Sequence, residues 1–144
     1  MKLQTHPGVG PVTGLAMVLT LGPAERFASG KQVASCFGLI PSEHSGGGRQ
    51  QLGRISKQGS SFLRFLLVEA GQTAAHYDAE LGRFYRRLAM RKHRALARVA
   101  VARKLAVRLY VMLRQDWTYA QLCRAVVQAS PSPSVVERQN RALE

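Results

Sequence analysis

Carboxylates are scarce in this chain. Its 144 residues hold 8 Asp and Glu against 21 Lys and Arg, and residues 81–115 hold none. Ordinary exposed helices mix both signs, so a stretch this one-sided is not a self-neutralised surface. The net charge of +13 and a pI near 11.1 point to a polyanionic partner, with nucleic acid favoured over a membrane surface. Long apolar runs are also missing. None reaches the roughly 18 residues a spanning helix needs, and the apolar stretch Leu15–Leu21 has no basic leader before it. The expected location is therefore cytoplasmic and nucleoid-associated. Two cysteines, Cys36 and Cys123, are too few and too far apart for a disulfide framework and read as reduced core thiols. Four histidines show no metal-ligand spacing, so no zinc site is expected. Alternation of the β type is absent over any useful length, so the expected fold class is all-α.

What is present reads as a series of helices. Thr5-His-Pro-Gly-Val-Gly-Pro11 resembles a helix-hairpin-helix turn opening a helix toward Leu21. Gly8 and Gly10 permit a tight turn, and Pro11 suits a first helical position. Amides at such a turn can bind a phosphate oxygen without reading sequence. Ser29–Gln32 and Thr118–Gln121 have capping-box spacing and predict helices through Cys36 or Phe37 and through about Ala129. A helix is expected from about Ser60 to His76, with Phe62, Phe65, Leu66 and Val68 apolar and Arg64 on a different side. Eleven cations fall between Glu80 and Asp116, on an apolar stripe that breaks near Lys92-His93 and so predicts two helices or a kink. Arg87, Arg91, Arg94 and Arg98 step by four, three and four, which puts them on one face for phosphate contact. The expected organisation is a helix-hairpin-helix-like segment at 1–28, a domain with basic helices at 29–130, and a disordered tail at 131–144.

Between these helices lies a polar loop, Ser42–Gly59. It carries Ser45 beside Gly46, Gly47 and Gly48, with Arg49, Arg54 and Lys57 downstream and Arg64 on the next helix. A hydroxyl on permissive backbone can approach a phosphate closely. Cations around it can hold that phosphate and offset the charge that develops on it. Serine needs help to act as a nucleophile, and His44 is a candidate to take its proton. The glycine run predicts a loop that is mobile in the free protein and orders on nucleic acid.

The order Gly-Leu-Ile-Pro-Ser-Glu-His-Ser, a glycine run, Leu-Gly-Arg-Ile-Ser-Lys-Gln-Gly and Phe-Leu-Arg-Phe-Leu-Leu-Val-Glu-Ala resembles one family over about residues 3–125. These are insertion-sequence transposases that join a RuvC-like acidic domain to a serine-bearing domain and are guided by a structured bridge RNA. The resemblance implies that Ser45 is the catalytic serine, with Ser42, Ser56, Ser60 and Ser61 as rivals. It implies that the Pro-Gly-Val-Gly-Pro stretch opens the serine domain. Its implied partners are DNA at transposon ends and target, a guide RNA, further copies of the protein and a RuvC-like domain missing from this chain. That domain supplies four acidic ligands for magnesium, so no cofactor is expected on this chain itself. The family often has a second Ser or Thr where this chain has Gly46. The alternative expectation is accordingly a non-catalytic, basic helical DNA- or RNA-binding remnant of such a transposase.

Overall fold

The computed structural model describes the backbone of residues 1–39, 41–46, 49–55 and 59–129, and the side chains of residues 1–39 and 59–129. A 3-10 turn at Lys2–Thr5 precedes α1 (Pro11–Leu21), and a second at Ala24–Arg26 precedes α2 (Gly30–Cys36). Two antiparallel strands come next, β1 (Pro41–Gly46) and β2 (Arg49–Ile55). The chain then returns to helices with α3 (Ser61–Tyr77), α4 (Ala79–Arg91), α5 (Arg94–Gln115) and α6 (Tyr119–Ala129). The body is all-α as expected, and the break before α5 falls at Lys92-His93.

Local chemistry accounts for the helix boundaries. Pro11 occupies the first turn of α1. The Ser60 hydroxyl accepts from the Leu63 N–H at 3.2 Å and caps α3. Asp78 ends α3 and caps α4, its Oδ1 accepting from the Leu81 N–H at 2.9 Å. His93 Nδ1 accepts from the Ala95 N–H at 3.1 Å and opens α5. At α6 the capping box closes both ways: Gln121 Oε1 accepts from the Thr118 N–H at 2.8 Å, and Thr118 Oγ1 accepts from the Gln121 N–H at 3.5 Å. The box expected at α2 is not formed: the Ser29 side chain makes no cap bond, and Gln32 Oε1 accepts from the N–H of Ala28, one residue before the cap, at 2.9 Å.

Helix α5 is the axis of the core. Val101, Ala102, Leu105, Ala106, Leu109, Tyr110 and Met112 are buried in its C-terminal two thirds. Around them pack Leu63, Leu67 and Ala70 of α3, Val33 and Phe37 from the α2 region, and Leu122 of α6. Leu3, Val9, Met17, Leu21 and Phe27 belong to the same core, so residues 1–28 and the later helices are built around one interior. The tail at 131–144 lies outside the described residues.

Three expectations are corrected. The polar loop Ser42–Gly59 contains a two-stranded ribbon with register Glu43↔Leu52, His44↔Gln51, Ser45↔Gln50 and Gly46↔Arg49, and a shift before Pro41↔Ile55. Strand pairing satisfies backbone groups whatever the side chains, so polarity alone does not forbid it. The buried stripe of α3 is Leu63, Leu67, Ala70, Gly71 and Ala74, while Phe62 and Phe65 are each 59% exposed. Small residues win that face because other backbones press close: a Cβ on Gly8 would lie 2.4 Å from the Ala70 carbonyl oxygen. Finally, both cysteines are free, but Cys36 is exposed and Cys123 half-buried, so neither is a core thiol.

Candidate nucleic-acid interface

The eleven cations of residues 81–115 separate into distinct jobs. Lys104 and Arg108 are paired internally. Arg108 Nη1 lies 3.1 Å from Asp78 Oδ2, Arg108 Nη2 lies 2.7 Å from Glu80 Oε2, and Lys104 Nζ lies 3.5 Å from Glu80 Oε1. Arg114 donates to the Phe27 carbonyl at 2.7 Å and to the Tyr110 hydroxyl at 2.6 Å. Arg103 is half-buried. The other seven, Arg83, Arg86, Arg87, Arg91, Lys92, Arg94 and Arg98, are exposed, and among the described residues none has a carboxylate within ion-pair distance.

These seven lie on α4, at its C-terminal cap and at the start of α5. The contacts Glu80–Arg108 and Phe84–Lys104 (4.3 Å from the ammonium to the ring) make α4 and α5 an antiparallel hairpin, with Lys92-His93 at its tip. The single-face reading of Arg87, Arg91, Arg94 and Arg98 is therefore corrected. Arg87 and Arg91 end α4, Arg94 and Arg98 begin α5, and the chain reverses between the pairs. They cluster around a tip instead of lining one helix. Met90 and Leu96 are exposed at the same tip.

The tip and the start of α3, which follows the ribbon in the chain, lie toward the same end. Gly71 packs against Ala102, and Asp78 against Arg108, so α3 runs parallel to α5. The N-terminus of α3, next to the ribbon, thus points the same way as the start of α5. At the ribbon's foot Gly59 has φ +78, and a Cβ there would sit 2.4 Å from the Cys36 carbonyl oxygen. Beside it Arg64 Nη1 donates to the Phe37 carbonyl at 3.3 Å. The foot is thereby tied to the end of α2.

Within the ribbon the register brings some predicted residues together and separates others. Ser45 pairs with Gln50, and Arg49 is one register position away, opposite Gly46. Arg54 stands four residues beyond Gln50, about 13 Å along a strand at ~3.3 Å per residue. Arg64 is at the foot. Ser42 belongs to β1, next to the register shift, and His44 pairs with Gln51. Gly47, Gly48, Ser56 and Lys57 lie outside the described residues. Ser60 and Ser61 begin α3, Ser60 as its cap. At the other predicted phosphate site, Gly8 has φ +84 and is pressed against α3, whereas Gly10 has an ordinary φ of −91 and open space beside it. A 3-10 turn, not an α-helix, precedes that turn.

Local sequence patterns did not show the buried polar cluster that ties these elements together. Asp78 is 5% exposed, and the Tyr119 hydroxyl donates to its Oδ2. Burial opposes the charge on Asp78, but hydrogen bonds from Tyr119 and the Leu81 N–H, with the Arg108 charge, outweigh it and hold the carboxyl below its ordinary range. Tyr119 is pushed up, first by burial and then by its bond to Asp78. His6 packs edge-on against Tyr119 at 4.8 Å between ring centres. His6 Nδ1 donates to the Pro7 carbonyl at 2.8 Å, and Nε2 is buried with no partner among the described residues. Burial pushes the His6 pKa down from 6.5, Arg108 adds to this, and the Pro7 carbonyl and Asp78 oppose it.

Stability should therefore depend on pH. A lowered folded pKa means that the His6 contribution is fully present above its unfolded value near 6.5 and is lost as pH falls through the folded value. Thermal unfolding of this chain should show a midpoint that falls as pH is lowered from about 6.5 toward 5. A His6→Leu variant should be flatter in that window. Asp78, also lowered, loses its contribution only below about pH 4. A parent midpoint that does not fall between pH 6.5 and 5 would contradict the assignment.

Among the described residues no helix is long and apolar enough to cross a membrane, and no group of three or more His, Cys, Asp or Glu is placed to hold a metal ion. The family described as "Transposase IS116/IS110/IS902 family" matches residues 1–86. A probable family 20 transposase of Pseudomonas aeruginosa is 34% identical over 122 residues, 82% of this chain and 36% of its own length. The transposase for insertion sequence element IS1111A of Coxiella burnetii is 30% identical over 122 residues, 82% of this chain and 34% of its own length. A putative transposase of Sinorhizobium fredii, y4pF/y4sB, is 35% identical over 127 residues, 83% of this chain and 32% of its own length. The chain thus spans about a third of the length of the curated relatives it matches.

Proposed function

The chain belongs to the Transposase IS116/IS110/IS902 family, and on that premise we propose that it is the DNA-engaging, serine-bearing part of an insertion-sequence transposase. The observation that carries the reading is the segregation of charge. Asp78 and Glu80 take up Arg108 and Lys104, while seven cations along α4 and toward the α4–α5 tip are left exposed, without a carboxylate partner among the described residues. Such a tip binds phosphates whatever the sequence, with affinity that falls steeply with salt. Amides at the Gly8–Pro11 turn add a second backbone contact, through the open side at Gly10.

Ser45 is the nucleophile in this reading. Its Oγ attacks the scissile phosphorus, a phosphoserine ester forms as the P–O bond of the DNA breaks, and the leaving oxygen departs as a hydroxyl. His44 is a candidate to take the serine proton. Arg49 is the cation nearest Ser45 in the ribbon register, Arg54 and Arg64 hold DNA further from the reacting phosphorus, and Lys57 is a further phosphate ligand in this reading. The described residues do not form a magnesium site. In this reading magnesium belongs to a RuvC-like acidic domain in the part of the relatives that this chain does not match. A structured guide RNA and further copies of the protein complete the assembly, which works in the cytoplasm.

The alternative, a binding module without chemistry, is favoured by one feature: Gly46 stands where the resembled family often has a second Ser or Thr. Trapping separates the two. The complete protein, acidic domain and guide included, is incubated with nicked suicide DNA and digested with protease. A nucleotide recovered on the peptide that contains Ser45 supports the enzyme. No adduct under conditions where DNA is bound supports the binding module.

A further inference from the structure

A crevice of about 520 Å³ opens between α2, α4, α5 and α6, away from the Lys92-His93 tip. Ala34, Val107 and Val126 line it with apolar surface, Lys31 and Arg103 carry the cations, and Glu80 brings a carboxylate. Lys104 and Arg108 also border it but are already held by Glu80 and Asp78. Lys31 and Arg103, by contrast, have no ion-pair partner among the described residues. The charge left over is positive, yet the walls between the cations are aliphatic.

That combination differs from the hairpin tip. Phosphates alone need only exposed cations. An apolar slot within reach of two uncompensated cations suits a flat, weakly polar group covalently joined to an anion. A nucleotide has that composition, and the volume is in the usual range for small-ligand sites. A base inside a duplex is stacked on both faces and cannot enter, whereas an unpaired base can leave its phosphate outside. We propose that this crevice binds one unstacked nucleotide of a single-stranded nucleic-acid segment, with Lys31 and Arg103 on the phosphate and Ala34, Val107 and Val126 against the base. Glu80 faces the base edge. Its carboxylate has acceptor sites beyond those used by Arg108 and Lys104, and these suit exocyclic amino groups.

This site rests on the nucleic-acid reading above but adds a strand class and a location to it. The test uses this chain with a labelled single strand carrying a photoreactive pyrimidine, and with a duplex of the same length. Crosslinks should map to residues 31–34, 103–108 or 126. The double variant Lys31→Gln, Arg103→Gln should weaken single-strand binding by roughly tenfold, with duplex binding changed much less. Lys31 is exposed, Arg103 is half-buried, and neither has an ion-pair partner among the described residues, so folding should survive. Crosslinks confined to the hairpin tip or the ribbon, with both strands bound, would overturn the crevice and leave the proposed function standing. Failure to bind either strand would overturn both. Competition by a free mononucleotide at low concentration would overturn the strand assignment in favour of a soluble nucleotide.

Discussion

Ser45→Ala is expected to abolish strand cleavage in the complete system, with the acidic domain, guide and DNA ends supplied. The covalent protein–DNA adduct should disappear with it. DNA affinity should stay within about fivefold, because one neutral hydroxyl contributes on the order of 0.5–1 kcal/mol as a binding hydrogen bond. Ser42→Ala and Ser60→Ala are the controls. Ser60 is committed to capping α3 through the Leu63 N–H, so its loss should lower stability by about 1 kcal/mol and spare the adduct. Ser42 stands three residues from Ser45 in β1, next to the register shift, and its loss should also spare the adduct. Arg49→Gln should slow adduct formation more than Arg54→Gln, since the register puts Arg49 one position from the Ser45–Gln50 pair and Arg54 about four residues away. An adduct that persists in Ser45→Ala would move the nucleophile elsewhere. Its absence from the parent would leave the binding module, with Gly46 as the cause.

The largest stability effect is expected at Arg108. Its side chain is 11% exposed and that of Asp78 is 5% exposed, so removing the guanidinium leaves a buried carboxylate short of its countercharge. Breaking such a pair from one side costs about 3–5 kcal/mol. Asp78 would keep its bonds from Tyr119 and the Leu81 N–H, so Arg108→Ala should fall near the lower end, about 3 kcal/mol, or roughly 10 °C in the unfolding midpoint. Asp78→Asn keeps the cap of α4 and removes the charge. Combined with Arg108→Met it should cost clearly less than the two single changes added together, because each partner's loss is softened once the other has gone. Additive losses would mean that the pair is not coupled and that α5 holds the α3–α4 corner by packing alone.

The helices were legible because their signals are local. The break at Lys92-His93, the cap at Ser60 and the box at Thr118–Gln121 are each decided within a few residues. The ribbon was not. Its residues are polar and glycine-rich, and the strongest cue for it, a Gly-Gly pair between Gly46 and Arg49, reads as a flexible run when it is equally a hairpin dipeptide. On α3 the buried face belongs to small residues and leucines, and the large aromatics Phe62 and Phe65 face outward. Ala70, Gly71 and Ala74 are buried because Gly8 and Ala102 come close to their backbone, a long-range fact that periodicity does not carry. The same holds for Asp78 and Arg108, thirty residues apart in sequence. Of the candidate site, the cations could be named from sequence. Which of them are exposed and which are consumed by Asp78, Glu80, Phe27 and Tyr110 required the fold.

The central claim is that the exposed cations of the α4–α5 tip hold DNA by its phosphates, and the salt dependence of duplex binding tests it most directly. Affinity measured across a range of salt should fall steeply for the parent. Replacing Arg87, Arg91, Arg94 and Arg98 together with Gln should weaken binding and reduce the slope of log K against log salt by up to about 3.6, at about 0.9 for each phosphate no longer neutralised. A slope unchanged by the four substitutions would contradict the account.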